Sequence, residues 1–299
     1  MPDEEEFPYD IELVSASVAQ FTYQMQFIKK HYQPITFATL LEHLDRGEKP
    51  PRGAAIVTFD DGFEDNYRNA FPVLKKLNMP ATIFISTGYI DSQEIFWYDK
   101  LSFAIMTTKA SLLTSPTLGS MVIGRDVKTR REILKCVVSK LKLVSDEIRL
   151  ASLDYLYTQL SPEHEWDSDS RSSPMSWNQI KEMSANNIEF GSHSVTHPVL
   201  SKVPPEKLTF EVQHSRQRIE FELQKPVQVI AYPVGGIEAF DQNVRTAVLN
   251  AGYRLGVSYI PGIQRPNQWD SLALRRVHVE RYVNNNFFKA MLSAPEIFI

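Results

Sequence analysis

Ala54-Ala55-Ile56-Val57-Thr58-Phe59-Asp60-Asp61-Gly62 is the stretch whose reading decides the fold. Its first six residues are apolar or β-branched with no polar alternation, as expected of a strand covered on both faces in a parallel sheet. Two adjacent carboxylates then close the run. On a regular strand they would point to opposite faces, and at close range they would repel. They become useful where the strand ends and Gly62 lets the backbone turn, so that both reach the C-terminal mouth of a barrel. The alternative for this stretch alone is a polar strand end followed by a helix cap.

Working outward, a helix is expected over 67–77 and a second buried strand over 81–85, which makes a β-α-β unit. Upstream, Ser17 and Gln20 read as a capping box opening a helix through Lys30, and a short segment at 33–35 precedes a helix over 37–44. Beyond Gly88 the rhythm changes. Residues 91–175 offer no convincing buried strand but hold an amphipathic stretch with Ile133, Val137 and Leu141, a helix over 146–160 and a serine-rich loop over 162–173. This region is expected to be a helical insertion. The alternation then resumes: a capped helix from Ser176, a strand over 188–190, a long helix from Pro204-Pro205, a strand over 227–232, and a helix over 241–251 ended by Gly252. Strands over 255–259 and 272–279 and a helix near Phe287 complete the chain. The expected fold class is α/β, a barrel or open sheet with helices outside, with 1–299 forming a single domain around the insertion.

Composition bounds the function. The 299 residues are 43% hydrophobic and 23% charged, ordinary for a globular protein, and the net charge of −4 gives no electrostatic footprint for nucleic acid. Cys136 is the only cysteine, which excludes an intrachain disulfide and a cysteine-based metal site; it is expected to be a small buried residue of a helix. No run approaches a membrane span and the acidic N-terminus lacks the pattern of a secretory signal, so a cytoplasmic location is the expectation for the sequence as written.

A second chemical signal is Gly191-Ser192-His193-Ser194-Val195-Thr196-His197, again directly after an expected strand. Two histidines four residues apart converge on a metal if the segment makes a helical turn or a tight loop. With one carboxylate they form a two-histidine, one-carboxylate set with open positions. A third, weaker signal is Ala231-Tyr232-Pro233-Val234-Gly235-Gly236, a turn that exposes backbone N–H donors suited to an oxyanion.

Thr58-Phe59-Asp60-Asp61-Gly62, His193-Ser194-x-x-His197 and Tyr232-Pro233-x-Gly235, in this order, resemble the polysaccharide deacetylases (carbohydrate esterase family 4, the nodulation-factor deacetylase homology domain). Asp65-Asn66-Tyr67, Ala81-Thr82-Ile83-Phe84, Thr87-Gly88-Tyr89-Ile90, Phe96-Trp97 and Ser176-Trp177 resemble its bacterial exopolysaccharide and lipopolysaccharide branch. The resemblance implies a distorted (β/α)7-type barrel and a hydrolase removing N-acetyl groups from an amino-sugar glycan. It implies Asp60 as general base, Asp61, His193 and His197 as ligands of a divalent metal, and the Val234 backbone N–H in the oxyanion hole. Zinc is the default ion for such a set, with cobalt, nickel, manganese and iron as alternatives.

Two departures stand out. Ala231 occupies the place of the family's arginine that orients the base, and Arg276 is the candidate to reach the same space from a neighbouring strand. The family's Leu-x-His acid motif is not reproduced, since Leu274 lies four residues before His278; His278 is either the general acid or a structural residue of the last strand. Trp97 and Tyr98 are candidates to stack on sugar rings, with packing of the insertion against the barrel as the alternative. Tyr232 is a candidate substrate contact, and Glu64 and Asp65 are expected to cap the next helix. Two other functions fit the same residues: a deacylase or deformylase of a lipid-linked sugar or other small amide, and a glycan-binding pseudoenzyme.

Overall fold

The computed structural model describes residues 7–92, 94–161, 173–265 and 269–298. Its centre is a parallel sheet in the order β10-β9-β8-β7-β4-β3, made of β3 (Thr58–Phe59), β4 (Ala81–Ile85), β7 (Ile188–Ser192), β8 (Val229–Ala231), β9 (Leu255–Pro261) and β10 (Leu274–Arg276). A separate parallel pair joins β1 (Gln33–Pro34) to β2 (Ala54–Ala55). The stretch 54–59 therefore serves two partners in succession, β1 through its first residues and β4 through its last. Counted as one strand, it brings the total to seven parallel strands.

Period-two alternation sorts the sheet's side chains. Ala81, Ile83 and Ile85 of β4 join the large cluster that includes Leu74 of α3 (Phe71–Leu77), Ile180 of α7 (Trp177–Ser184) and Val212 of α8 (Pro205–Leu223). Phe84 faces the other way, into a cluster with Val229, Ala231, Val257 and Leu274 and with Phe37, Leu40 and Leu41 of α2 (Phe37–Asp45). Glu189 on β7 accepts from the N–H groups of Phe37 and Ala38 at 2.9 and 2.8 Å and from the Thr82 hydroxyl at 2.5 Å. Its charge thus meets the positive end of α2 and pins that helix under the sheet.

The sheet curls into a half-barrel of the (β/α) type. β3 and β10 stand at opposite ends of the strand order, yet Arg276 on β10 donates two hydrogen bonds of 2.8 Å to Asp60, one residue past β3. The C-terminal ends of the strands thus gather at one mouth. Of the remaining helices, α1 (Val18–His31) lies against α3 and α10 (Asn285–Ser293), and α9 (Gln242–Asn250) against α8.

Between β4 and β7 lie α4 (Trp97–Thr107), the antiparallel hairpin β5 (Leu112–Ser115) and β6 (Gly119–Val122), α5 (Val127–Leu141) and α6 (Asp146–Leu160). They share a core of their own that includes Leu101, Ile105, Leu113, Val137, Leu141 and Leu156. Phe7, Tyr9 and Ile11 dock on this region against Ile95 and Phe103.

Several sequence expectations change. The segment 91–175 carries a hairpin and a helix, α4, that its pattern does not disclose: α4 is buried almost all round from Trp97 to Ile105, so no polar face marks its period. In the hairpin, the two exposed apolar residues Leu112 and Val122 face each other across the strands and the buried Ser115 reverses the usual polarity, which hides the alternation. Cys136 is exposed, because the buried stripe of α5 runs through Ile133, Leu134, Val137, Val138 and Leu141 and leaves position 136 on the outer face. Ser17 caps α1, but Gln20 donates its side chain to the Val283 carbonyl instead of closing the box; Ser176 and Gln179 do close theirs. All of the serine-rich loop except Ser173 lies outside the described residues. No helix among the described residues is long and apolar enough to cross a membrane.

Candidate active site

The strand-end aspartates part company through the backbone. Asp61 adopts φ 71° and Gly62 φ 89°, both in the left-handed region. Gly62 is required there for a second reason as well: a Cβ at this position would lie 2.8 Å from Cγ2 of Ile85. Asp60 is left facing β10, and Asp61 turns to the histidines.

The histidine segment makes a tight loop. Ser194 and His197 have φ 67° and 55°, and the loop is tied internally by His197 N–H to Ser194 Oγ at 3.1 Å and Ser194 N–H to Ser192 Oγ at 3.2 Å. Non-glycine residues in the left-handed region are uncommon, and here they gather where Asp61, His193 and His197 converge. Oδ1 of Asp61 lies 3.4 Å from His193 Nε2 and 3.2 Å from His197 Nε2, and all three residues are buried. His193 Nδ1 sits 2.8 Å from the Ala231 carbonyl, which fixes the proton on Nδ1 and leaves the Nε2 lone pair facing Asp61. Burial, only partly offset by the neighbouring aspartates, holds its pKa below 6.5 and keeps the ring neutral.

These residues fit a divalent cation. Asp61 Oδ1 is buried without a hydrogen-bond partner among the described residues, although two imidazoles face it. A carboxylate oxygen and two imidazole Nε2 atoms converging this closely are a donor set that a divalent cation takes.

Asp60 is held differently. Arg276 grips both its oxygens and is itself fixed by Nε donation to the Ser258 carbonyl at 2.9 Å. Burial would raise the Asp60 pKa, but the Arg276 charge, with the neighbouring imidazoles and the Arg276 hydrogen bonds, outweighs it and brings the value to about 2. The Arg276 guanidinium also lies over the Tyr259 ring at 5.4 Å, and Tyr259 stacks on His278 at 3.7 Å. Nε2 of His278 is buried without a partner among the described residues. Burial and the Arg276 charge hold this histidine below its ordinary 6.5.

Val234 has φ 66°, an outlier for a β-branched residue, followed by Gly235 at 62°, where a Cβ would meet the Tyr259 nitrogen at 2.7 Å. This strained turn leaves the Val234 N–H without an acceptor among the described residues.

Two of the residues expected as substrate contacts are buried. Tyr232 is 1% exposed; its ring stacks on Phe240 at 4.4 Å in the helix-side core and its hydroxyl donates to the Leu272 carbonyl. Trp97 is 7% exposed, beneath the Arg149 guanidinium, and its Nε1 donates to the His197 carbonyl at 3.2 Å. Both rings are packed against neighbouring side chains.

Sequence reasoning missed Glu211. This fully buried residue of α8 accepts from the N–H groups of Val195 and Thr196 at 2.8 and 2.9 Å and from the Thr196 hydroxyl at 2.6 Å, which ties down the chain between the two histidines. Its signal was available: a glutamate on the apolar stripe of Leu208, Val212 and Ile219.

A family model described as polysaccharide deacetylase matches residues 47–256, a span that includes the two aspartates, both histidines and the Val234 turn. The chain belongs to the polysaccharide deacetylase family. Among curated relatives, YxkH of Bacillus subtilis (strain 168) is 22% identical over 263 residues, which make up 88% of this chain and 64% of that protein. A poly-β-1,6-N-acetyl-D-glucosamine N-deacetylase of Staphylococcus aureus (strain MSSA476) is 37% identical over 95 residues, 31% of this chain and 32% of that protein. The chain thus spans less than two thirds of the length of either. The deacetylase fold recurs in the Streptococcus pyogenes deacetylase PplD in complex with acetate, with TM-score 0.60 and 18% identity over 92% of this chain and 86% of that one. It recurs again in IcaB from Ammonifex degensii, with TM-score 0.58 and 17% identity over 94% and 92%.

Proposed function

We propose that this deacetylase-family chain is a metal-dependent hydrolase that removes N-acetyl groups from an amino-sugar-containing glycan. The observation that carries this is the pairing at one mouth of an arginine-clamped carboxylate, Asp60, with a buried Asp61–His193–His197 set facing inward. Residues 1–299 are read as one domain with 91–175 as its insertion.

Asp61, His193 and His197 would hold the cation, and zinc suits two imidazoles and a carboxylate. When bound, such a cation polarises an acyl oxygen and eases deprotonation of water. Asp60, kept ionised and oriented by Arg276, takes a proton from the attacking water. The Val234 N–H donates to the oxygen that gains charge on the acetyl carbon, an interaction worth about 3 kcal/mol per donor elsewhere. His278, in its protonated form, would give a proton from Nε2 to the departing nitrogen; burial and the Arg276 charge lower its pKa and so confine that form to the more acidic range. Acetate and a free amine result. The Staphylococcus aureus relative's name supports an N-acetylglucosamine-type substrate.

Acetate released from N-acetylglucosamine oligomers tests this. Zinc-loaded protein should release acetate, chelation should abolish it, and zinc should restore it in the parent but not in His193→Ala. Undiminished release by the chelated protein would overturn metal dependence.

A further inference from the structure

Tyr98, the second residue of α4, belongs to the region between β4 and β7 and yet reaches the metal ligands. Its ring meets His197 edge-on at 5.3 Å and stacks on Phe96 at 5.3 Å. The side chain is buried, and its hydroxyl has no hydrogen-bond partner among the described residues. Buried hydroxyls are seldom left so, because burial removes the water that would otherwise satisfy them.

An acceptor of matching need lies beside it. Asp61 Oδ1 is likewise buried and without a partner, and it stands 3.2 Å from Nε2 of the same His197 whose ring Tyr98 meets. A carboxylate accepts at several positions while a single cation uses one or two, so a ligating carboxylate has room for a donor.

The position of Tyr98 does not depend on its hydroxyl. Next to it, Trp97 donates to the His197 carbonyl and lies under Arg149. Arg149 pairs with Asp146, and Lys207 of α8 reaches the same carboxylate at 2.5 Å. These contacts fasten α4 to the barrel side of the site.

We propose that Tyr98 is a positioning residue of the metal centre, its hydroxyl donating to the Asp61 carboxylate and fixing which oxygen faces the cation. This rests on the metal dependence proposed above. The region between β4 and β7 then supplies part of the support for the metal ligands as well as bulk beside the mouth.

The test is Tyr98→Phe, which removes one oxygen and keeps the ring. Zinc affinity is measured by chelator competition, together with the melting temperature of the zinc-free protein and the visible absorption of the cobalt-loaded form. The zinc-free variant should melt close to the parent, since the ring and its packing are kept and one hydroxyl is lost. Its zinc Kd should rise roughly tenfold or more, the usual effect of losing an outer-shell partner, and the cobalt spectrum should shift. A zinc Kd within twofold of the parent, in a parent that binds one zinc lost on His193→Ala, would overturn the role of Tyr98 alone. A zinc-free variant melting several degrees lower would make the hydroxyl structural and overturn it too. A parent that binds no zinc would remove the metal proposal and this one together.

Discussion

Asp60 and Asp61 are neighbours with opposite surroundings: one faces an arginine, the other two imidazoles. The Arg276 clamp lowers the Asp60 pKa from 3.8 to about 2. A lowered folded-state value stabilises the protein at pH above the unfolded value, and that contribution is lost as the pH falls from about 4 through about 2. It also keeps Asp60 ionised well above that value, so the acid limb of activity should come from the histidines. Arg276→Gln should lower kcat/KM by about 100-fold, the scale of a misoriented catalytic group, and should move the acid limb to higher pH as burial raises Asp60. A pH–rate profile of the two proteins checks both. Glu211 acts on the ligand loop through three hydrogen bonds. Glu211→Ala leaves buried donors unmet and should cost about 2–4 kcal/mol in urea unfolding, with weaker zinc binding.

At the scale of elements, the turn after β3 is the most constrained piece. Gly62→Ala would place a methyl group against Ile85 in a backbone with φ 89°, and should destabilise the protein by roughly 1–3 kcal/mol while displacing Asp61. Thermal melting and zinc content of the variant measure the two effects. This turn, and the His193–His197 loop, were legible in the sequence because strand, carboxylates, glycine and histidines are contiguous there. Arg276 was legible only as a neighbour of the site, since its grip on Asp60 depends on how far the sheet curls. The roles of Trp97 and Tyr232 were not legible, because an aromatic residue that packs and one that binds sugar have the same local sequence. Glu211 was hidden for a related reason: a lone helical glutamate means nothing until α8 is set against the loop it holds. α4 was lost because burial on all sides erases the polar face that betrays a helix.

In the whole molecule, the site closes over distances no local pattern records. The two ends of the sheet share the Asp60–Arg276 pair, 216 residues apart in sequence. The region between β4 and β7 is fastened to α8 through Lys207 and Asp146, and touches His197 through Trp97 and Tyr98. The proposed metal ligands, the proposed base and their supporting residues thus come from separate parts of the chain and meet at one mouth. Acetate release from N-acetylglucosamine oligomers by the parent and by Asp60→Asn, each shown to carry one zinc, tests this account most directly. Equal metal content with a rate lower by about 100- to 10,000-fold in the variant is the predicted result. Equal rates would contradict it.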